Sequence, residues 1–245
     1  MRKFTSDALV IFEIETLKAR AWWPFYLMTI VGFPIGTLYF AKWLIPPGAE
    51  DLVGTRLMTW SLVFALGLMT VNNLSQIMLW ERFNSTLKLV ITSPVHPLSY
   101  ALGIVAFALM QGMFTAVAVL SFSPIVGIDI DLSWWLIPVL LLTSLSLTGL
   151  GVIIATWSPG QEVGNVLANM VGILVTLLSP VYFPIERMPQ WLRWVVRFSP
   201  YTHAGEAVDR ILSGRGGLET EVMYLVLITE AGIGIGVAGL RWLEN

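Results

Sequence analysis

The sequence predicts an all-α integral membrane protein with six transmembrane helices, and three observations carry that expectation. First, only 12% of the 245 residues are charged while 56% are hydrophobic; soluble domains carry about a quarter charged residues, so no water-facing surface could be covered. Second, the few charges mark off long uncharged stretches. Third, tryptophans gather at the ends of those stretches. Net charge is −2, which supplies no basic field to hold nucleic acid. The chain has no cysteine, which removes disulfides, thiolate metal sites and cysteine nucleophiles.

The uncharged stretches are 21–41, 57–80, 89–128, 132–161 and 163–185, and a sixth, 222–240, carries only Glu230. About 20 apolar residues at 1.5 Å rise cross a hydrocarbon core of ~30 Å. Helices are required because lipid offers the backbone no hydrogen-bond partner. The third stretch is too long for one crossing and opens with Thr92, Ser93, Pro94, His96 and Pro97, so its span should start near Leu98. Trp22, Trp23 and Trp43 bracket the first span, Trp60 and Trp80 the second, Trp134, Trp135 and Trp157 the fourth, and Trp242 ends the sixth. Indoles favour the headgroup layer, so these read as interfacial belts against membrane lipid.

Residues 5–20 should form an interfacial helix. Val10, Ile14, Leu17 and Ala21 make an apolar stripe, and Glu13, Thr16 and Arg20 a polar one. The charges here also exclude a signal peptide. Basic residues divide evenly between the two sides, so orientation rests on the first span. Lys and Arg concentrate before it, which predicts both termini in the cytoplasm of a multi-pass inner (plasma) membrane protein.

Two connections are unusual. Residues 81–95 begin with Glu81 and Arg82, continue with Leu87, Val90 and Ile91 at helical spacing, and stop at Pro94. They read as a short amphipathic helix that lies on the membrane or docks into a partner's groove, or else as an interfacial turn. Residues 183–215 are too charged to span and too apolar for a free loop. Pro184, Pro189 and Pro200 divide them. Trp191, Trp194, Val195 and Phe198 share one helical face, with Arg193 and Arg197 on another, which suggests a re-entrant or surface-lying hairpin.

The run Glu81-Arg82…Thr86-Leu87…Thr92-Ser93-Pro94 resembles the cytoplasmic coupling helix of type-2 ABC transporter permeases. The run Phe183-Pro184-Ile185-Glu186-x-Met188-Pro189-x-Trp191-Leu192, followed by Ser199-Pro200-Tyr201-Thr202 and Glu206, resembles that family's external hairpin. Six spans and the N-terminal interfacial helix match as well, so the resemblance covers nearly all of 1–245 as one permease domain. Phe83, Ser85 and Lys88 depart from the family's pattern of a second acid, a glycine and a later Glu, and bear on partner choice.

The resemblance implies the membrane subunit of an ATP-driven exporter, working as a dimer, a homodimer in the simplest case, with two ABC ATPase subunits. This chain has no phosphate-cradling G-x-x-x-x-G-K-[ST] loop. It should therefore bind no cofactor itself, with ATP and Mg on the partner. Glu81 and Arg82 would pair with charges at the ATPase cleft, while Thr86, Leu87, Val90, Ile91, Ser93 and Pro94 complete the contact. The substrate would be a drug-like amphiphile, a lipid or a lipid-linked glycan.

Within the fifth span, Gly160, Gly164, Ala168 and Gly172 recur every four residues beside Asn165 and Asn169. Small residues let helices approach closely, so this face reads as a dimer contact or substrate path, or as packing within the chain. Glu230 is an intramembrane acid and therefore expected to face a partner, water or a pathway. Gly234, Gly236 and Gly239 fit a dinucleotide-binding pattern with no βαβ unit around it; a close-packing face is the better reading. His203, Glu206 and Asp209 recur every three residues and read as a polar helix face in preference to a metal site. An ion-coupled secondary transporter would need paired charges and repeated halves, and an intramembrane enzyme a nucleophile and base; neither pattern is present.

Overall fold

The computed structural model describes residues 2–43, 50–84, 92–93, 95–128, 132–175 and 188–240. Every described element is helical. Four stretches are long and apolar enough to cross a membrane: Trp23–Phe40, Gly54–Phe83, Leu98–Ile125 and Leu136–Trp157. They coincide with the first four predicted spans. The fifth predicted span is described only as far as Val175, and the sixth is a helix of 22 residues, Glu219–Leu240.

Helix α1 (Arg2–Ala21) is followed by a first span made of α2 (Trp23–Leu27), a π-helical turn (Met28–Gly32) and α3 (Phe33–Trp43). The second span is α4 (Glu50–Gly67), a π-helical turn (Leu68–Asn73) and α5 (Leu74–Phe83). Helix α6 (Pro97–Val126) is the third span and α7 (Leu136–Trp157) the fourth. Then come α8 (Gln161–Met170) with a third π-helical turn (Val171–Val175), α9 (Gln190–Arg197), α10 (Pro200–Leu212) and α11 (Glu219–Leu240).

Helix ends follow local chemistry. His96 caps α6, its Nδ1 accepting from the Leu98 amide at 3.2 Å, and Pro97 takes the first helical position where no amide hydrogen is needed. Gly127 ends the same helix at φ 73°, the left-handed turn that only glycine adopts freely.

The second span is the centre of the bundle. Met58, Leu62, Leu66, Met69, Leu74 and Leu79 are fully buried, against α6, α7 and α10. The first span is almost bare, with only Pro34 and Leu38 buried. In the seam between α7 and α11, main chain meets main chain. A Cβ on Gly149 would come within 2.9 Å of the Gly232 Cα, one on Gly236 within 2.7 Å of Val152, and one on Gly239 within 2.8 Å of Thr156. Gly232, Gly236 and Gly239 therefore form a close-packing face, whereas Gly234, which the sequence grouped with them, meets nothing within 4 Å.

The apolar stripe of α1 (Val10, Ile14, Leu17) is exposed, while Ile11 and Glu15 face the bundle. Ile11 packs where Gly103 leaves room on α6. One detail differs from expectation, the place of Trp60. Trp60 is partly buried with its ring stacked on Phe64, whereas Trp22, Trp23, Trp43, Trp80, Trp134, Trp135 and Trp157 are exposed at span ends.

Candidate functional site

Glu81 and Arg82 lie at the end of the second span, immediately before the segment that sequence alone marks as a coupling helix. Glu81 is buried. Its Oε1 accepts from Lys18 Nζ at 2.8 Å, and its Oε2 accepts from the Tyr100 hydroxyl. The same Lys18 ammonium donates to Glu15 Oε1 at 2.5 Å, and Glu15 is also buried. One cation therefore serves two buried carboxylates drawn from α1 and α5, with α6 adding a hydroxyl. Burial holds the Glu15 carboxyl above its usual range, helped by the nearby Glu81 charge and opposed by Lys18. Burial lowers the Lys18 ammonium, but its bonds to Glu15 and Glu81 outweigh that and raise it.

These contacts engage Glu81 and Arg82 within the chain, whereas sequence alone assigned their charges to a partner's cleft. Both oxygens of Glu81 are engaged inside the chain. Arg82 Nη1 donates to the carbonyls of Ala155 and Ser158, each at 2.9 Å. These belong to the C-terminal turn of α7, where carbonyls have no intrahelical donor and the helix dipole favours a cation. Arg82→Ala should cost about 2 kcal/mol, the worth of charge-assisted bonds, read as a lower unfolding midpoint in detergent. Ser93 is half-buried and Thr92 exposed. Thr86, Leu87, Val90, Ile91 and Pro94 lie outside the described residues.

A second group of polar side chains runs between the second span and α8. Asn72 Nδ2 donates to Asn169 Oδ1 at 2.6 Å, Gln76 donates to Asn72 Oδ1, and Asn169 Nδ2 donates to the Asn165 carbonyl at 2.8 Å. Asn73 Nδ2 donates to Gln111 Oε1 at 2.7 Å on the third span. Gln76 and Asn169 are exposed, so the chain of amides reaches the edge of the seam. Part of the small-residue row is used up inside the molecule: Ala168 is fully buried, and a Cβ on Gly164 would lie 2.5 Å from a Leu79 methyl. A Cβ on Gly172 would first meet Asn72 and Leu68, at 4.0 Å. Gly164 and Ala168 thus pack within the chain, while Gly172 has room for a further side-chain atom. Val163, Val166, Leu167, Met170 and Ile173, on the other face, remain exposed.

The family model for the ABC-2 type transporter matches residues 14–212. The chain belongs to that family. No curated protein matches it. It is accordingly an ABC transporter permease subunit, a membrane component of a transport system. Everything from Glu15 to α10 lies inside the matched stretch, while α11 lies beyond it.

At the opposite end of the permease a third cluster joins α10 to α11. His203 Nδ1 lies 2.6 Å from Glu221 Oε2, and its Nε2 lies 2.8 Å from the Arg197 carbonyl. The imidazole stacks on Tyr224, ring centroids 4.3 Å apart. Arg210 sits 3.4 Å from Glu221 and 3.7 Å from Glu206, and Arg215 pairs with Asp209. Burial raises the Glu206 carboxyl, the Glu221 charge adds to the shift, and Arg210 opposes it. His203, Glu206 and Asp209 are thus partners of Glu221, Arg210 and Arg215. Among the described residues no group of ligands could hold a metal.

The hairpin region contains two helices. On and beside α9, Met188, Leu192 and Val196 are buried together, and Trp191, Trp194 and Phe198, the last just past its end, are exposed. Arg197 lies over the Trp194 ring at 5.8 Å, so it shares that face, where sequence had assigned it to another. Pro189 is exposed at the start of α9, and Pro184 and Glu186 lie outside the described residues. Helix α10 drops into the bundle: its Tyr201 is fully buried and would be 2.4 Å from a Cβ at Gly67. Glu15, Tyr100 and Glu221 were not singled out from sequence. The spacing of Glu15 and Lys18 was visible; their distant partners were not.

Proposed function

We propose that this permease is the membrane half of an ATP-driven exporter, with six spans, both termini in the cytoplasm, and the 183–215 region turned to the outside as a re-entrant hairpin. Two copies would work with two ABC ATPase subunits, which carry the ATP and Mg. The observation that carries this reading is the junction of Lys18 with Glu15, Glu81 and Tyr100. It ties α1, the end of the second span and the start of the third into one block beside residues 85–94. A push on that segment would pass to three membrane elements at once.

The exposed faces of the first span and α8 are the surfaces left for a second copy. The amides of Gln76, Asn72, Asn169 and Asn165 supply donors and acceptors without charge along the seam between the second span and α8. Such groups suit an amphipathic substrate with a neutral, hydrogen-bonding head, which includes drug-like molecules, lipids and lipid-linked glycans.

The test is co-purification with an ABC ATPase, then transport by the pair in proteoliposomes. Leu87→Asp removes an apolar anchor from the coupling segment, and losing a hot spot costs about 2 kcal/mol or more, about thirtyfold in affinity. Transport and transport-linked ATP hydrolysis should fall together, with the unfolding midpoint of the permease unchanged. Normal coupling in the folded variant would remove the assignment of residues 81–95.

A further inference from the structure

Glu230 sits midway along α11, between the apolar runs 222–228 and 231–240, and is exposed. It has neither an ion pair nor a hydrogen bond among the described residues. Two faces of α11 differ in what covers them. Gly232, Gly236 and Gly239 are pressed against α7. On the outward face, Leu227, Glu230, Ala231, Gly234 and Ala238 are all exposed, and a Cβ on Gly234 would meet nothing within 4 Å. Beyond Glu230 this face carries the small residues Ala231, Gly234 and Ala238, flanked by exposed Ile233 and Ile235, and it lies outside the stretch matched by the family.

A carboxyl facing hydrocarbon is stabilised by a cation or donor brought to the same depth. A helix of 22 residues is about 33 Å long, so Glu230 lies roughly 16 Å from either end, below the reach of lipid headgroups. A second copy of this chain on the same face would set Glu230 against Glu230, like charge against like. A soluble partner cannot enter the bilayer. A helix with a basic side chain meets the demands of depth, charge and close approach together.

We propose that this face of α11 docks one transmembrane helix of a different membrane protein, through a lysine or arginine paired with Glu230. The proposal rests on the reading that α11 crosses the bilayer.

The absence of cysteine makes any introduced thiol unique. Gly216→Cys, at an exposed position with nothing within 4 Å of a Cβ, carries a fluorophore on the full-length permease in phosphatidylcholine vesicles. The probes are leucine–alanine helices of about 20 residues with a central lysine, a central glutamate or neither. Energy transfer should report about tenfold tighter binding of the lysine helix than of the uncharged one. Glu230→Gln should abolish the difference, and Glu230→Lys should move the preference to the glutamate helix. Equal binding of all three, or a lysine preference that survives Glu230→Gln, overturns the proposal. So does a disulfide between copies through Gly234→Cys, which would assign the face to a second copy. Crossing is read separately: rapid labelling of Gly234→Cys by a membrane-impermeant maleimide removes the underlying span, whereas protection without peptide preference removes only the docking.

Discussion

Gly149→Leu should unfold the permease at lower temperature than any other single apolar substitution in the fourth span. A Cβ there already falls 2.9 Å from the Gly232 Cα, and its next neighbour is the Gly232 carbonyl carbon at 3.4 Å. Both are main chain, so no flexible side chain can yield and the two helices must separate. Overpacking of a well-packed site costs 1–3 kcal/mol and occasionally more. Separation would also weaken the contacts at Gly236 and Gly239, which places the expected loss at about 3 kcal/mol or above. Gly234→Leu is the control, since nothing lies within 4 Å of that position. Thermal unfolding in mild detergent should separate the two variants clearly. Equal midpoints would mean that α7 and α11 do not meet through these glycines.

Lys18→Met should be the most damaging change at the other end of the bundle. It leaves Glu15 and Glu81 buried with no cation between them. Breaking a buried pair by removing one partner costs 3–5 kcal/mol, and the partial exposure of Lys18 lowers that to about 2–3 kcal/mol. Acid should restore much of the loss, because protonated carboxyls need no counter-charge. The native protein has its own pH dependence at this cluster. Glu15 is held above its usual range, so the folded state binds its proton more tightly than the unfolded chain. That contribution is full below the ordinary carboxyl value and is lost as pH rises through the raised folded value. Lys18, also raised, contributes fully below its ordinary lysine value and loses its contribution as pH climbs through its own raised value, well above neutrality. Between about pH 4 and about pH 8 the slope at this cluster therefore belongs to Glu15. Glu15→Gln should flatten it, measured as unfolding midpoint against pH. An unchanged slope would separate Glu15 from the pH response.

Much of the architecture was legible before any coordinates. The first four crossings were bounded by Trp22, Lys42, Glu81, Pro97 and Trp157, residues whose cost in hydrocarbon or preference for the interface is a local property. The start of α6 at Pro97 and its end at Gly127 follow from one missing amide hydrogen and one positive φ. The reading of Gly232, Gly236 and Gly239 as packing residues was also available, because no strand stood before them.

What covers each face was not legible. The π-helical turns at Met28–Gly32, Leu68–Asn73 and Val171–Val175 had no signature in composition. The row Gly164, Ala168 and Gly172 could have served a second chain or this one, and only the position of Leu79 shows that Gly164 packs within this one. Glu81 read as a surface charge beside a partner's cleft; Lys18 and Tyr100, distant in sequence, turn it into an internal joint.

The sequence by itself determined that this is a helical membrane protein, where its first four spans begin and end, and which family's motifs it carries. The tertiary structure alone decided which sides of those helices meet. The physical reason is the solvent. In water, an amphipathic helix declares its inward face, because burial is favourable on one side only. In a bilayer α4 and α7 are apolar on no one side in particular, and transfer from lipid to protein interior gains little on any side. The choice among faces then falls to steric fit and to the few polar groups that need one another, here Gly149 with Gly232, Asn72 with Asn169, and Lys18 with Glu81.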